Sequence, residues 1–186
     1  ALPVRLCVGA KVPQAQRDAI RRAVETWNGG FSSKVFSLEC TDEQGEASLE
    51  EASRHSIYWV ESGFDRFAPK TVLARTLTAY SEETGEYLDA DIVLNAEHYR
   101  WAPAAGSGLD LESVMTHELG HVLGLQHFEI SNESALRSFP YQSGVRFRKL
   151  GRYEREAVGA RYFGKSEPTD FKYFDAVLSG RYAEAI

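Results

Sequence analysis

The 186-residue chain predicts an α+β domain, a sheet of about five strands packed by about three helices. Two observations carry this. Five short segments, Leu2–Val8, Val35–Cys40, Ser56–Val60, Thr71–Tyr80 and Tyr87–Asn95, are strand-like runs separated by polar or turn-forming stretches. Three longer stretches, Pro13–Asn28, Leu109–Leu123 and Leu150–Phe163, repeat apolar residues near the helical period.

Taken in order, Leu2–Val8 (LPVRLCV) is the first strand. In Pro13–Asn28, Ala15, Ala19, Ile20, Ala23, Val24 and Trp27 form one stripe. Arg17, Asp18, Arg21, Arg22 and Glu25 lie largely opposite, as on a helix packed against a sheet. Pro13 suits the first turn, and Gly29-Gly30 ends the helix. Val35–Cys40 is the second strand, and the acidic stretch Thr41–Ser53 reads as a surface loop. Ser56–Val60 is apolar enough for burial on both faces, with His55 before it as a structural or exposed residue. Thr71–Tyr80 and Tyr87–Asn95 are joined by turn chemistry, Ser-Glu-Glu-Thr-Gly-Glu, and predict a hairpin. Asp89 and Asp91 lack the oxygen-rich loop of a calcium site, and His98 reads as structural rather than as a second metal ligand.

Beyond His127, residues 131–147 lose all period and are rich in Ser, Asn, Gly and Pro; Asn132-Glu133-Ser134 is a formal glycosylation sequon. In Leu150–Phe163, Tyr153, Ala157, Val158 and Ala160 face inward and Gly164 is the stop. Residues 165–186 carry aromatics that suit a short packed helix.

The chemistry concentrates in Leu109–His127, LDLESVMTHELGHVLGLQH. Ser107 with Asp110 suits a capping box, and Leu111, Val114, Met115, Leu119, Val122 and Leu123 supply the buried side. Within it stands H-E-x-x-H-x-x-G-x-x-H. Four residues at about 100° each bring His121 onto the face of His117, one turn along. Gly124 can adopt the left-handed conformation that ends a helix, after which His127 returns toward the same point. Three neutral imidazoles suit Zn²⁺, which leaves a fourth position for water in catalytic sites. Glu118, next to the first ligand, is free to act on that water as general base and then as acid toward a leaving amine. A lone histidine on a helix is usually a surface or core residue. Five fixed positions arise by chance in a chain of this length on the order of once in ten thousand.

The formal charge of −6 and the absence of a basic cluster exclude nucleic acid as the main partner. No apolar run approaches the roughly 18 residues of a membrane span. The chain begins at Ala1 rather than at an initiator Met, so a leader or propeptide is expected to have been removed. Cys7 and Cys40 lie in two strand-like runs. If those strands are neighbours, a disulfide is expected, as in a secreted or periplasmic protein, with two buried thiols as the alternative.

The chain thereby resembles the catalytic domain of the metzincin metallopeptidases, and among these the matrixins and their bacterial relatives, over about Leu2–Gly164. The zinc-helix motif is the most specific part. Val72-Leu73-Ala74, Asp89-Ala90-Asp91 followed by Trp101, and the closing Arg161-Tyr162-Phe163-Gly164 also match. The resemblance implies a twisted, mixed, mostly parallel sheet with an antiparallel edge strand. It implies an upper lobe at about 1–127, a small irregular lower lobe at about 128–164, and an extension at 165–186. It makes His117, His121 and His127 the ligands of a single catalytic zinc and Glu118 the general base and acid. An extended polypeptide substrate would lie along Leu73, Ala74 and Arg75, with Pro140 and Tyr141 walling the pocket beyond the scissile bond. One departure stands out. Metzincins carry a methionine in a turn below the zinc, yet the sole methionine here, Met115, precedes the motif. Leu136 or Arg137 falls at that place, and Leu136 is the expected equivalent because a charged Arg there would be costly unless paired.

The combined expectation is a secreted, monomeric zinc endopeptidase with no membrane span. The alternatives are a catalytically impaired zinc-containing binding protein and a narrow-specificity processing peptidase.

Overall fold

A computed structural model describes residues 2–42, 55–84, 87–102, 108–127, 135–136 and 147–164. Its centre is a five-stranded sheet in the order β2-β1-β3-β5-β4, built from β1 (Val4–Gly9), β2 (Phe36–Asp42), β3 (His55–Val60), β4 (Ala74–Tyr80) and β5 (Tyr87–Asn95). The first three pairings are parallel, and β4 runs antiparallel to β5 at the edge. This is the mixed, mostly parallel sheet with an antiparallel edge strand that the resemblance implies. Trp101–Ala102 (β6) and Leu109–Asp110 (β7) add a short parallel pair.

Element ends moved by a few residues, for local reasons. The first strand starts at Val4 because Pro3 has no N–H to give the ladder. The edge strand starts at Ala74, since the Val72 N–H closes a turn on Pro69 O. The Leu73 carbonyl still accepts from the Asn95 N–H and so extends the pairing. Cys7 stands opposite Cys40 in the parallel β1–β2 register. No described helix is long and apolar enough to cross a membrane.

Helix α1 (Gln14–Gly29) lies against one face of the sheet and buries Ala19, Ile20, Ala23, Val24 and Trp27. Ala15, expected on that stripe, is exposed, one turn before the helix meets the sheet. The Trp27 indole is wholly buried and donates from Nε1 to Thr116 O at 2.9 Å, which joins α1 to helix α2 (Leu111–Val122). Burying the indole with its N–H satisfied retains the full apolar gain of a large side chain. Leu6, Ile57, Ile92 and Leu94 meet both helices in the main core. The opposite sheet face holds a smaller cluster of Phe64, Ala68, Val72 and Val93.

Helix α2 is hydrophobic or buried nearly all round, as a helix enclosed by a domain must be. Its N-cap is Asp110, so the capping box expected from Ser107 is replaced, and Ser107 itself lies outside the described residues. Asp110 is held by Arg148, whose Nε donates to Oδ2 at 2.8 Å, and by the Ser113 hydroxyl. Helix α3 (Arg152–Phe163) ends at Gly164, with φ of 61°. The loop expected to continue beyond Asp42, the sequon at Asn132 and residues 165–186 also lie outside the described residues.

Candidate metal centre

Helical spacing brings His117 and His121 to one face of α2, and the turn that follows supplies the third histidine. Leu125 N–H bonds to Gly120 O at 3.0 Å and Gly124 N–H to His121 O at 2.8 Å, the paired bonds of a left-handed helix stop. Gly124 has φ of 78°. It is this left-handed φ that calls for glycine, since the nearest atom to a Cβ there, Arg161 Nη1 at 2.6 Å, is the end of a flexible side chain.

The outcome is convergence. His117 Nε2 lies 2.9 Å from His121 Nε2 and 3.2 Å from His127 Nε2, and the last two are 3.1 Å apart. The opposite ring nitrogens fix the tautomers. His117 Nδ1 sits 2.8 Å from Ala135 O, and His121 Nδ1 sits 2.7 Å from Leu125 O. A carbonyl can only accept, so each Nδ1 carries the proton and each of those Nε2 atoms presents a lone pair.

Lone pairs crowded this closely repel unless a cation lies among them. Ligands on a tetrahedral zinc with bonds of about 2.0–2.1 Å stand about 3.3 Å apart, close to the spacing found. Burial first, and then repulsion from His121 and His127, hold the His117 imidazole well below its ordinary pKa. Burial also lowers that of His121. Neutral imidazoles are the form a metal needs, and the residues therefore fit a zinc ion. Among the described residues, these three histidines make up the group able to hold a metal.

Glu118, the residue after His117, is buried, and the sheet supplies its partner: Thr76 Oγ1 of β4 donates to Glu118 Oε2 at 2.6 Å. Burial pushes the Glu118 carboxyl up to about 7, against the opposing pull of the Thr76 hydroxyl. A carboxyl in that range can take up and return a proton near neutral pH.

Beneath the helix, Leu136 is fully buried against Gly120. Its N–H donates to Glu154 Oε1 of α3 at 3.2 Å. Arg137, Pro140 and Tyr141 lie outside the described residues. Met115 is in the main core. Leu73, Ala74 and Arg75 stand at the start of the edge strand, with the Arg75 side chain donating from Nη1 to Phe67 O at 2.6 Å. His55 accepts from the Ala90 N–H at 3.0 Å, Asp91 accepts from the Ser56 N–H at 2.8 Å, and the His98 N–H donates to Asn95 Oδ1 at 3.0 Å.

Sequence reasoning passed over three contributors. Thr76 gave no signal, since threonine is an ordinary strand residue. Glu154 did, because it falls on the same helix side as Ala157 and Val158, where a charge needs a buried partner. Arg148, between the aperiodic stretch and the last helix, bonds Asp110 and reaches Glu112 Oε2 at 3.1 Å.

Comparison with known proteins agrees with this geometry. The model of the family described as Matrixin matches residues 10–162. Over 41 residues, 22% of this chain, the sequence is 46% identical to karilysin from Tannerella forsythia. That match covers 8% of karilysin, so the chain spans a small part of that relative. The chain belongs to the matrixin family.

Proposed function

We propose that this matrixin is a secreted zinc endopeptidase that hydrolyses extended polypeptides, with His117, His121 and His127 as ligands and Glu118 as general base and acid. The observation that carries the reading is the meeting of three Nε2 atoms within 3.2 Å, with a buried carboxyl on the residue that follows the first histidine. Bound there, zinc would polarise the scissile carbonyl and lower the pKa of a water molecule to about 7.

The chain's own groups would do the rest. Glu118 Oε2 is held by Thr76, which leaves Oε1 to take a proton from the attacking water and deliver it to the leaving amine. The substrate would add to β4 as a further strand along Leu73, Ala74 and Arg75. The Leu73 carbonyl faces β5, so by strand alternation the main chain of Ala74 turns to the open edge. Pro140 and Tyr141 would wall the far side of a cleft between an upper lobe at about 1–127 and a lower lobe at about 128–164.

Export is supported by the Cys7–Cys40 register, which suits a disulfide. Closing that loop would stabilise the fold by about 4 kcal/mol in the chain-entropy model.

The test is incubation of the zinc-loaded protein with a mixed peptide library, with and without a chelator, and products identified by mass spectrometry. Internal cleavages that vanish with chelator support the endopeptidase. No cleavage under any condition favours a zinc-containing binding protein, and cleavage of a single sequence favours a processing enzyme.

A further inference from the structure

Thr76 sits where the sheet has no evident need of a hydroxyl. It points to the apolar face of β4, opposite Ile92 in the register, with Ala74 two residues before it, and it is 6% exposed. Valine has nearly the same shape, an equal liking for strands and no polar atom to desolvate. A hydroxyl at such a position must find a partner, and it finds one in Glu118: Oε2 at 2.6 Å and the main-chain carbonyl of the same residue at 3.2 Å.

We infer that Thr76 is a positioning residue, through which the docking strand β4 fixes the Glu118 carboxylate so that Oε1 is the oxygen presented to the histidine triad. The inference rests on the reading of Glu118 as the base. A carboxylate on a two-carbon arm turns easily about its last torsion, which has no sharp staggered wells. One short bond from a strand anchored in the sheet removes that freedom from Oε2 and leaves the other oxygen as the working atom. The hydroxyl also lies within reach of the main-chain carbonyl of Glu118, so Thr76 ties the carboxylate to its own backbone, which neither valine nor alanine at position 76 could do.

The experiment compares the wild-type protein with T76V and T76S, each zinc-loaded. Zinc content, thermal stability, and kcat and KM on a peptide drawn from the library are measured, and the crystal structures of both variants are solved. For T76V we expect full zinc occupancy and KM within about twofold of wild type, with kcat reduced by about ten- to a hundredfold, the range for losing a hydrogen bond to a charged group. Its Glu118 carboxylate should be rotated away from the wild-type position. T76S should recover kcat to within about threefold and restore the rotamer, because it returns the hydroxyl without the methyl. An unchanged kcat in T76V, or a T76S no better than T76V, overturns the inference. Should the wild-type protein cleave nothing, the peptidase reading fails and the crystals decide this point alone. A Glu118 side chain that keeps its orientation in T76V overturns it, and one that swings free in T76V and returns in T76S upholds it.

Discussion

The side chain of Leu136 fills the space that a Cβ on Gly120 would need, its Cδ2 lying 2.6 Å from that position and its Cγ 3.1 Å. Leucine therefore forms the floor under the metal helix, in the region where the resemblance implies a methionine. The carbonyl of neighbouring Ala135 meets Nδ1 of His117 at 2.8 Å. Two adjacent residues thus serve the centre differently, one by orienting a histidine and the other by filling volume.

From this contact, Gly120→Ala should cost about 1–3 kcal/mol by overpacking, and Leu136→Ala about 2–5 kcal/mol through the cavity it leaves. Because the two share one space, the double variant should be more stable than the sum of the single losses implies. Leu136→Met should cost under about 1.5 kcal/mol and keep zinc binding. Denaturant titrations of the wild type and the four variants check the set, and strict additivity would contradict the shared contact.

Glu118→Ala should bind zinc with wild-type stoichiometry while turnover falls by about 10²–10⁴-fold, the usual share of general acid–base catalysis. Atomic absorption on the dialysed protein, together with peptide kinetics, tests both halves. Near-normal cleavage would remove Glu118 from its assigned role.

The pH dependence of the metal-free protein has a definite sign. Burial raises the Glu118 pKa from 4.5 to about 7, so between these values the folded state holds more protons than the unfolded one. Stability from this group is present at low pH and is lost as pH rises toward 7. Glu118→Gln removes the effect, and above pH 7.5 it should be more stable than wild type by on the order of 3 kcal/mol, with the gap closing toward pH 4. His117 and His121 act oppositely. Their lowered pKa values leave the unfolded state with more protons below about 6.5, so their contribution is lost as pH falls. Urea unfolding in chelator from pH 4 to 8 measures both trends.

Arg148 spans two buried acids at the start of the metal helix. Burial alone would raise the Asp110 pKa, yet hydrogen bonds from Arg148 and Ser113 carry it below its ordinary value. Arg148→Ala would leave Asp110 without its cation, while Glu112 would still be met by Arg22 Nε at 2.6 Å. A loss of about 3 kcal/mol is expected, with only partial recovery by lysine, which has the charge without the planar fork. Thermal melts at pH 7 distinguish the three proteins.

Much of this was legible in the sequence, for physical reasons. A helix period and a left-handed glycine are local properties, so the spacing His117, His121, Gly124, His127 predicted the convergence directly. The hairpin of β4 and β5 was legible from alternation and turn residues. The Thr76–Glu118 bond was not, because it joins residues 42 apart through a strand register that no local pattern encodes. The cap of α2 was misread for a similar reason: besides Ser113 nearby, Asp110 is held by Arg148, 38 residues downstream.

Helix α3 reaches the ligand turn from below: the Tyr162 hydroxyl donates to Leu123 O at 3.0 Å, the Arg161 guanidinium to Gly124 O at 3.4 Å, and Glu154 takes the N–H of Leu136. All three supports lie well downstream of the last histidine. During synthesis, all three histidines emerge from the ribosome before the helix that shapes their turn. The centre described here would therefore mature late, and a chain halted before Arg152 would carry all three histidines without the scaffold that shapes their turn.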